Sequence, residues 1–347
     1  MKYKFITLNN GKLCPTLGFG VAYIKGNTVI DSVIKAIETG YRLIDTAALY
    51  RNEKEVGMAI KKCIESGIVQ RQDLFITSKA PFFNPGYQET IDGYYKSLEN
   101  LQMEYLDLYL LHHPFMQYAN FQEHIVRSYD ALEYLYKNKK VKNIGVSNFW
   151  GYFCEVLYNY AEVIPQVNQI ELHPYNQDRD TVKFCVEHKT QIQSWGGANQ
   201  GRLFDSQIMQ EIGKRYDKTV VQVAIRWNIQ KGNSVLVRST NTERIKENYD
   251  VFDFELTQEE ISMIDKLDGA GVANRGHGIV SLPVMHHTAS TLSNEIVMAI
   301  KKNIPKPKRK QYKLFGFLPL LVLHIDTNST KVYLFGVRIL KITKQCR

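Results

Sequence analysis

Short β-rich runs alternate with helical patterns along most of the chain, and that alternation constrains the fold more than any single motif. The runs are LGFGV (17–21), YRLIDTA (41–47), LFITSK (74–79), YLDLYLLH (105–112), VKNIGVSN (141–148), QVNQIEL (166–172), QIQSWG (191–196) and SVLVRS (234–239). Between them lie stretches with apolar residues at helical spacing. In VIDSVIKAIETG these are Val29, Ile30, Val33, Ile34 and Ile37, with Gly40 as the stop. NEKEVGMAIKKCIESG repeats the pattern and ends at Gly67. Eight strands alternating with helices over about 250 residues are the count and length of a (β/α)8 TIM barrel. A doubly wound sheet would want a Gly-rich phosphate turn after its first strand, and GFGVAY lacks the third glycine of GxGxxG. An N-terminal β-hairpin, turning at Asn10-Gly11, is expected before the barrel.

After about residue 270 the alternation stops. The reading gives a barrel domain over 1–275, a loop and basic linker over 276–310, and a tail over 311–347. The tail holds two copies of Leu-Phe-Gly at a 20-residue offset, in YKLFGFLPLLVL (312–323) and VYLFGVRILKIT (332–343). Two copies fall short of a solenoid, and a small β-rich appendage such as a hairpin is expected. Charge separates the same parts. The net charge is +9, yet residues 301–347 hold 12 Lys/Arg and one acid, Asp326, a balance of +11. The other 300 residues carry −2, so a nucleic-acid function of the main body has no electrostatic support.

Five scattered cysteines without a CxxC pair argue against a disulfide framework and a zinc site, and suit the cytoplasm. MKYKFITLNN lacks the apolar core of a signal peptide, and no run of about 18 apolar residues marks a transmembrane helix.

In a (β/α)8 barrel the C-terminal strand ends converge on one mouth, where active sites sit. Here those ends carry Asp45, Lys79, His112, Ser147 with Asn148, Gln169, Trp195, and Arg238 with Ser239. A polar residue at one strand end is an ordinary loop entry. Seven in a row, with an acid, a lysine and a histidine, point to a constructed site. Plainer readings exist for each taken singly. Asp45 would cap the next helix, Tyr50 is one of 21 tyrosines, Lys79 would be solvated, and Trp195 would be core.

The same stretches resemble the ordered motifs of the aldo/keto reductase family. They are LNNGKLCPTLGFG, GYRLIDTAALYRNEKEVGMAI, LFITSK, YLDLYLLHHP, IGVSNF, QVNQIELHPY and RSTNTERIKEN, within residues 3–268. The resemblance is greatest to the bacterial branch that reduces small aldehydes, ketones and keto-sugars, and it implies the same barrel fold. It implies a catalytic tetrad of Asp45, Tyr50, Lys79 and His112, with NADPH as hydride donor. A free tyrosine has a pKa of about 10, so a proton donor at neutral pH needs help. Lys79 would stabilise tyrosinate, Asp45 would hold Lys79 ionised, and His112 would hydrogen-bond the substrate oxygen.

His113 fills a slot usually taken by an aromatic or amide. A metal on His112–His113 is not expected, because neighbours on a strand point to opposite faces. The resemblance further implies coenzyme contacts at Gly20, Val21 and Asp45. Ser147, Asn148 and Gln169 would bind the nicotinamide carboxamide, and Trp195 would stack on its ring. Arg238, Ser239 and Arg244 would take the 2′-phosphate, and Glu247 and Asn248 the adenine. Ala22, Tyr23, Tyr50, His112 and His113 would line the substrate pocket.

Four departures from the family pattern stand out. Arg238 replaces a usual lysine with charge kept. Gly196-Gly197-Ala198 replaces Ser-Pro-Leu and loses a hydroxyl near the pyrophosphate. Ala22 stands where a bulky aromatic often lies. The acidic, aromatic closing loop is not recognisable after Asp268. The expectation is therefore an NADPH-dependent carbonyl reductase, a cytoplasmic monomer with a small-molecule carbonyl substrate. Two rivals from other classes are a weakly catalytic nucleotide-binding regulatory or scaffold protein and a polysaccharide-assembly component. For the basic tail, a plain appendage stands beside docking on an anionic membrane surface or a partner protein.

Overall fold

A computed structural model describes residues 4–115, 118, 120–197 and 203–269, together with the backbone of strands at 310–313, 321–325, 329–334 and 337–343. The chain divides into two units, Met1–Val297 and Met298–Arg347.

The first unit opens with an antiparallel hairpin of β1 (Phe5–Thr7) and β2 (Leu13–Pro15), in which Ile6 faces Cys14. Gly11 adopts φ 80°, the left-handed conformation that this turn requires. Hairpin side chains then reach the entrances of two barrel strands. Asn10 Nδ2 donates to Asn143 Oδ1 at 2.8 Å, and Asn9 Nδ2 donates to the Pro165 carbonyl at 3.0 Å. The hairpin thus floors the barrel at the N-terminal ends of its strands.

Eight parallel strands follow: β3 (Leu17–Gly20), β4 (Leu43–Asp45), β5 (Phe75–Ala80), β6 (Leu108–Leu111), β7 (Ile144–Ser147), β8 (Val167–Glu171), β9 (Gln191–Trp195) and β10 (Ser234–Val237). They close in the order β10-β3-β4-β5-β6-β7-β8-β9, with Leu17 paired to Val235 at the seam. This is the (β/α)8 barrel with an N-terminal hairpin. Each expected run contains its strand except LFITSK (74–79), whose strand runs one residue further, to Ala80. The runs read longer than the strands because the flanking loops are buried too: in YRLIDTA the strand is Leu43–Asp45, while Tyr41 and Ala47 are both fully buried. Strands covered on both faces read as continuous apolar runs.

Among the described residues, helices alternate with these strands: α1 (Asn27–Thr39), α2 (Glu53–Glu65), α3 (Tyr87–Leu101), α4 (Phe121–Lys137), α5 (Tyr152–Tyr158), α6 (Arg179–Glu187), α7 (Gln207–Tyr216), α8 (Val220–Gln230), α9 (Thr242–Tyr249) and α10 (Gln258–Asp265). α1 buries Val29, Ile30, Val33, Ala36 and Ile37 along one stripe and stops at Gly40, as its periodicity predicts. Ile34 is only half-buried. α2 crosses α3 at Gly57, where an added Cβ would lie 2.4 Å from the Leu101 carbonyl oxygen. No helix among the described residues is long and apolar enough to cross a membrane.

The second unit contains an antiparallel sheet of β11 (Lys310–Lys313), β12 (Leu321–Ile325), β13 (Ser329–Leu334) and β14 (Val337–Thr343), in sequential order. Each repeat copy contributes two strands, so the sheet has twice the strands of the expected hairpin. The two Phe-Gly junctions and the linker expected over 276–310, apart from Lys310, lie outside the described residues.

Candidate active site

The end of β4 places Asp45 at the barrel mouth. A 3-10 helix at Ala48–Tyr50 then folds the chain back so that the Tyr50 phenol faces the same point. Lys79 comes from β5, and His112 follows the last residue of β6. Lys79 is fully buried, with Asp45 and His112 nearly so. Lys79 Nζ donates to Asp45 Oδ1 at 2.6 Å, to the Thr46 carbonyl at 3.1 Å and to Tyr50 Oη at 3.2 Å. The His112 ring meets the Tyr50 ring edge-on, with centroids 5.6 Å apart.

Electrostatics follows from this packing. Burial works against the Lys79 charge, but the Asp45 carboxylate and the Tyr50 oxygen together more than offset it and hold the ammonium above its ordinary range. Burial raises the Tyr50 phenol, and the Lys79 charge beside it opposes that rise without cancelling it. The ammonium does lower the phenol, as expected, but desolvation of the tyrosinate outweighs it and the nearby Asp45 charge adds to the rise, so the phenol stands above its ordinary range. Burial, then the charge of Lys79, keeps His112 well below the usual histidine range and puts His113 at about 4. Both rings are neutral at pH 7.

The two histidines do not point apart. Their rings stack at 4.8 Å with a 14° interplanar angle. β6 ends at Leu111, so strand alternation no longer applies to them. Phe82 meets both rings, at 6.0 and 5.0 Å, and packs on the exposed Phe83.

The opposite wall is a polar layer. Gln169 Nε2 reaches across the barrel to Asp45 Oδ2 at 2.8 Å and also donates to Gln193 Oε1 at 2.7 Å. Asn148 sits at φ 61°, in the left-handed region that asparagine tolerates. Its Nδ2 donates to the His112 carbonyl at 3.0 Å and to Ser147 Oγ at 3.1 Å. Its Oδ1 accepts from Trp195 Nε1 at 3.3 Å. Trp195 is half-buried against the apolar interior of the barrel.

Other expected residues fall as follows. Val21 is fully buried, its N–H bonded to the Asp45 carbonyl and its carbonyl to Asn52, so it offers the mouth neither side chain nor free backbone. At Gly20 an added Cβ would meet only the Val237 carbonyl, at 3.8 Å. Tyr23 is 64% exposed at φ 64°. The Arg238 guanidinium lies over its ring at 5.4 Å and donates to the Ala22 carbonyl at 2.8 Å. Ser239 Oγ accepts from the Asn241 N–H at the start of α9, and Arg244 is exposed on the first turn of that helix. Glu247 accepts from Thr219 Oγ1, and Asn248 is buried. Gly196 and Gly197 are described, and Ala198 lies outside the described residues.

Sequence reasoning missed Asn52, Gln193 and Phe82. Asn52 directly precedes α2, where an asparagine reads as a cap. It makes no cap bond and instead pins the carbonyls of Val21 and Ile24. Gln193 looks like one polar residue in a strand, and its partners are 24 and 41 positions away.

A buried Asp–Lys–Tyr constellation with a neutral histidine at the mouth of a parallel barrel makes this the candidate active site. The profile of the aldo/keto reductase family matches residues 16–269, and the chain belongs to that family. It is 42% identical over 264 residues to "Glyoxal reductase" of Bacillus subtilis, covering 76% of this chain and 92% of that one. It is 38% identical over 265 residues to "Methylglyoxal reductase DkgA" of Escherichia coli K12, covering 76% and 93%. A crystal structure of Bombyx mori aldo-keto reductase in complex with NADP superposes with a TM-score of 0.71 at 28% identity, covering 77% and 94%. The chain is therefore an NADP(H)-dependent oxidoreductase of this family.

The residues present fit that coenzyme. Both Gln169 amide hydrogens are engaged, which leaves its oxygen as an acceptor for a carboxamide NH2. The gap beside Gly20 admits a group that a side chain there would displace. Arg238 and the exposed Arg244 carry guanidinium donors of the kind that suit a phosphate, while Ser239 Oγ is engaged with the Asn241 backbone.

Proposed function

We propose that this chain reduces small aldehydes, ketones or keto-sugars to alcohols, with α-oxoaldehydes of the glyoxal kind as leading substrates and Tyr50 as proton donor. One observation carries the reading. All three hydrogens of the Lys79 ammonium have partners, and one is the Tyr50 oxygen. That oxygen accepts from Lys79 and keeps its own O–H to give away.

When bound, NADPH supplies the hydride that reaches the carbonyl carbon. Tyr50 donates its proton to the carbonyl oxygen as negative charge develops there. The resulting tyrosinate is left beside an ammonium, the arrangement that favours the transfer. Burial keeps the phenol protonated at neutral pH, so the acid is loaded before each turnover. Neutral His112 orients the oxygen by hydrogen bonding and does not compete as an acid. Ser147, Asn148 and Gln169 would hold the carboxamide, Trp195 would stack on the ring, and Arg238, Ser239 and Arg244 would take the 2′-phosphate. Tyr23 and His113, with Phe82 packed on both histidines, would give the substrate side of the mouth an aromatic lining, which suits a compact carbonyl. The names of the glyoxal and methylglyoxal reductases that the chain resembles support that class.

The test is NADPH oxidation against a carbonyl panel that includes glyoxal and methylglyoxal, wild type beside Tyr50→Phe. The variant should lose about 10³-fold in kcat while binding NADPH normally. Equal rates would remove Tyr50 as the acid. A wild type that binds NADPH and turns over no carbonyl would remove the reductase reading.

A further inference from the structure

A chain of hydrogen bonds links the floor hairpin to Asp45, its donors pointing outward from Gln169 in both directions. Ser234, Gln193 and Gln169 stand at one register on the neighbouring strands β10, β9 and β8. Ser234 Oγ donates to the Pro15 carbonyl at 3.2 Å. Its lone pair accepts from Gln193 Nε2 at 3.3 Å. Gln193 Oε1 therefore faces the other way and accepts from Gln169 Nε2 at 2.7 Å. The second hydrogen of that nitrogen goes to Asp45 Oδ2 at 2.8 Å. All four side chains are buried, Gln193 and Ser234 completely.

We propose that Gln193 is a positioning residue, which locks the Gln169 amide with its oxygen turned to the coenzyme and steadies the carboxylate that holds Lys79. The proposal rests on the reductase reading for the chemistry it serves. A terminal amide has two-fold rotational freedom, so its sense is set by its partners. If Gln169 turned over, its oxygen would meet the Asp45 carboxylate and the Gln193 carbonyl, two acceptors against an acceptor. Asp45 supplies one of these constraints, and Gln193 supplies the second. Gln193 is itself oriented by Ser234, which is oriented by a backbone carbonyl that has no donor sense to adopt. The far end of the chain is thus fixed by covalent structure. A carboxamide bound to an acceptor of fixed direction presents one ring face to the substrate. Without Gln193, one Gln169 hydrogen lies unpaired in a buried layer, and the amide wavers.

The full-length protein tests this with Gln193→Leu, Gln193→Glu, Ser234→Ala and Tyr50→Phe. Three quantities are read: NADPH affinity by calorimetry without substrate, deuterium delivered to product from each of the two C4-deuterated NADPH epimers, and the thermal midpoint. Gln193→Leu should bind NADPH about tenfold more weakly, near 1.4 kcal/mol, and release label from the face the wild type never uses. Gln193→Glu keeps an acceptor toward Gln169 and should recover most of the affinity and single-face transfer. Ser234→Ala should err in the same direction as Gln193→Leu, by less.

A Gln193→Leu protein with only a lower thermal midpoint, and with wild-type affinity and facial selectivity, overturns the proposal. If that variant does not fold, Ser234→Ala decides: an unchanged affinity and selectivity there overturn it. Tyr50→Phe keeps the two readings apart, because normal rates in it remove the proton donor and leave the affinity measurements standing.

Discussion

Lys79 is a buried cation with no solvent to share its charge, so its neighbours decide what it does. Asp45 holds it charged, and Tyr50 receives one of its hydrogens. The same burial keeps His112 and His113 neutral. Both have folded pKa values below the ordinary histidine value of about 6.5. Below that pH the unfolded chain takes up protons that the folded one refuses. The stability they contribute is therefore complete above about pH 6.5 and is lost as pH falls toward 4, at up to ~1.4 kcal/mol per unit for each ring. His113→Phe keeps a flat ring against His112 and Phe82 and removes one of the two protons. Urea unfolding at a series of pH values between about 5 and 6.5 should show a slope shallower by about one proton than in wild type. Parallel slopes would mean that His113 titrates normally. At this scale Asp45, Lys79 and His112 were legible as polar strand ends that meet at one mouth, whereas Tyr50, in the turn after β4, was singled out only by the family resemblance. Gln193 and Asn52 were not legible, because their roles lie in partners that only the closed barrel brings near.

Among elements, α2 does more than cover the barrel. Its first residue, Glu53, accepts from Ser78 Oγ at 2.6 Å and from Asn100 Nδ2 at 2.9 Å. Ser78 is the residue before Lys79, and Asn100 lies on α3, so one carboxylate joins two helices to the strand that carries the ammonium. The α2–α3 contact allows this only because Gly57 has no side chain. Gly57→Ala should destabilise the protein by about 1–3 kcal/mol, read as a lower urea midpoint with unchanged slope. A midpoint equal to wild type would mean that the helices separate without strain. Strand positions were legible because apolar runs report burial on both faces. Their ends were not, since burial continues past the last ladder bond, as at Tyr41 and Ala47. The seven-residue α5 spans barely two turns and leaves little period to read.

At the scale of the whole molecule, charge and structure divide in the same region. Every side chain placed in the candidate site belongs to the first unit, which ends at Val297. The +11 balance of residues 301–347 belongs to the second. We propose that the second unit is an appendage to a complete reductase. Removal of residues 301–347 should leave kcat and the KM for carbonyl within about twofold of wild type, since every side chain placed in the candidate site belongs to the first unit. Loss of activity from the truncated protein in solution would contradict an appendage. The first unit has its own exposure in time. Its seam pairs Leu17 with Val235, so the first barrel strand lacks one neighbour until synthesis has passed β10. Until then β3 is an open edge, ready to accept a strand from another nascent chain. The last barrel strand to emerge is thus the one that covers this edge.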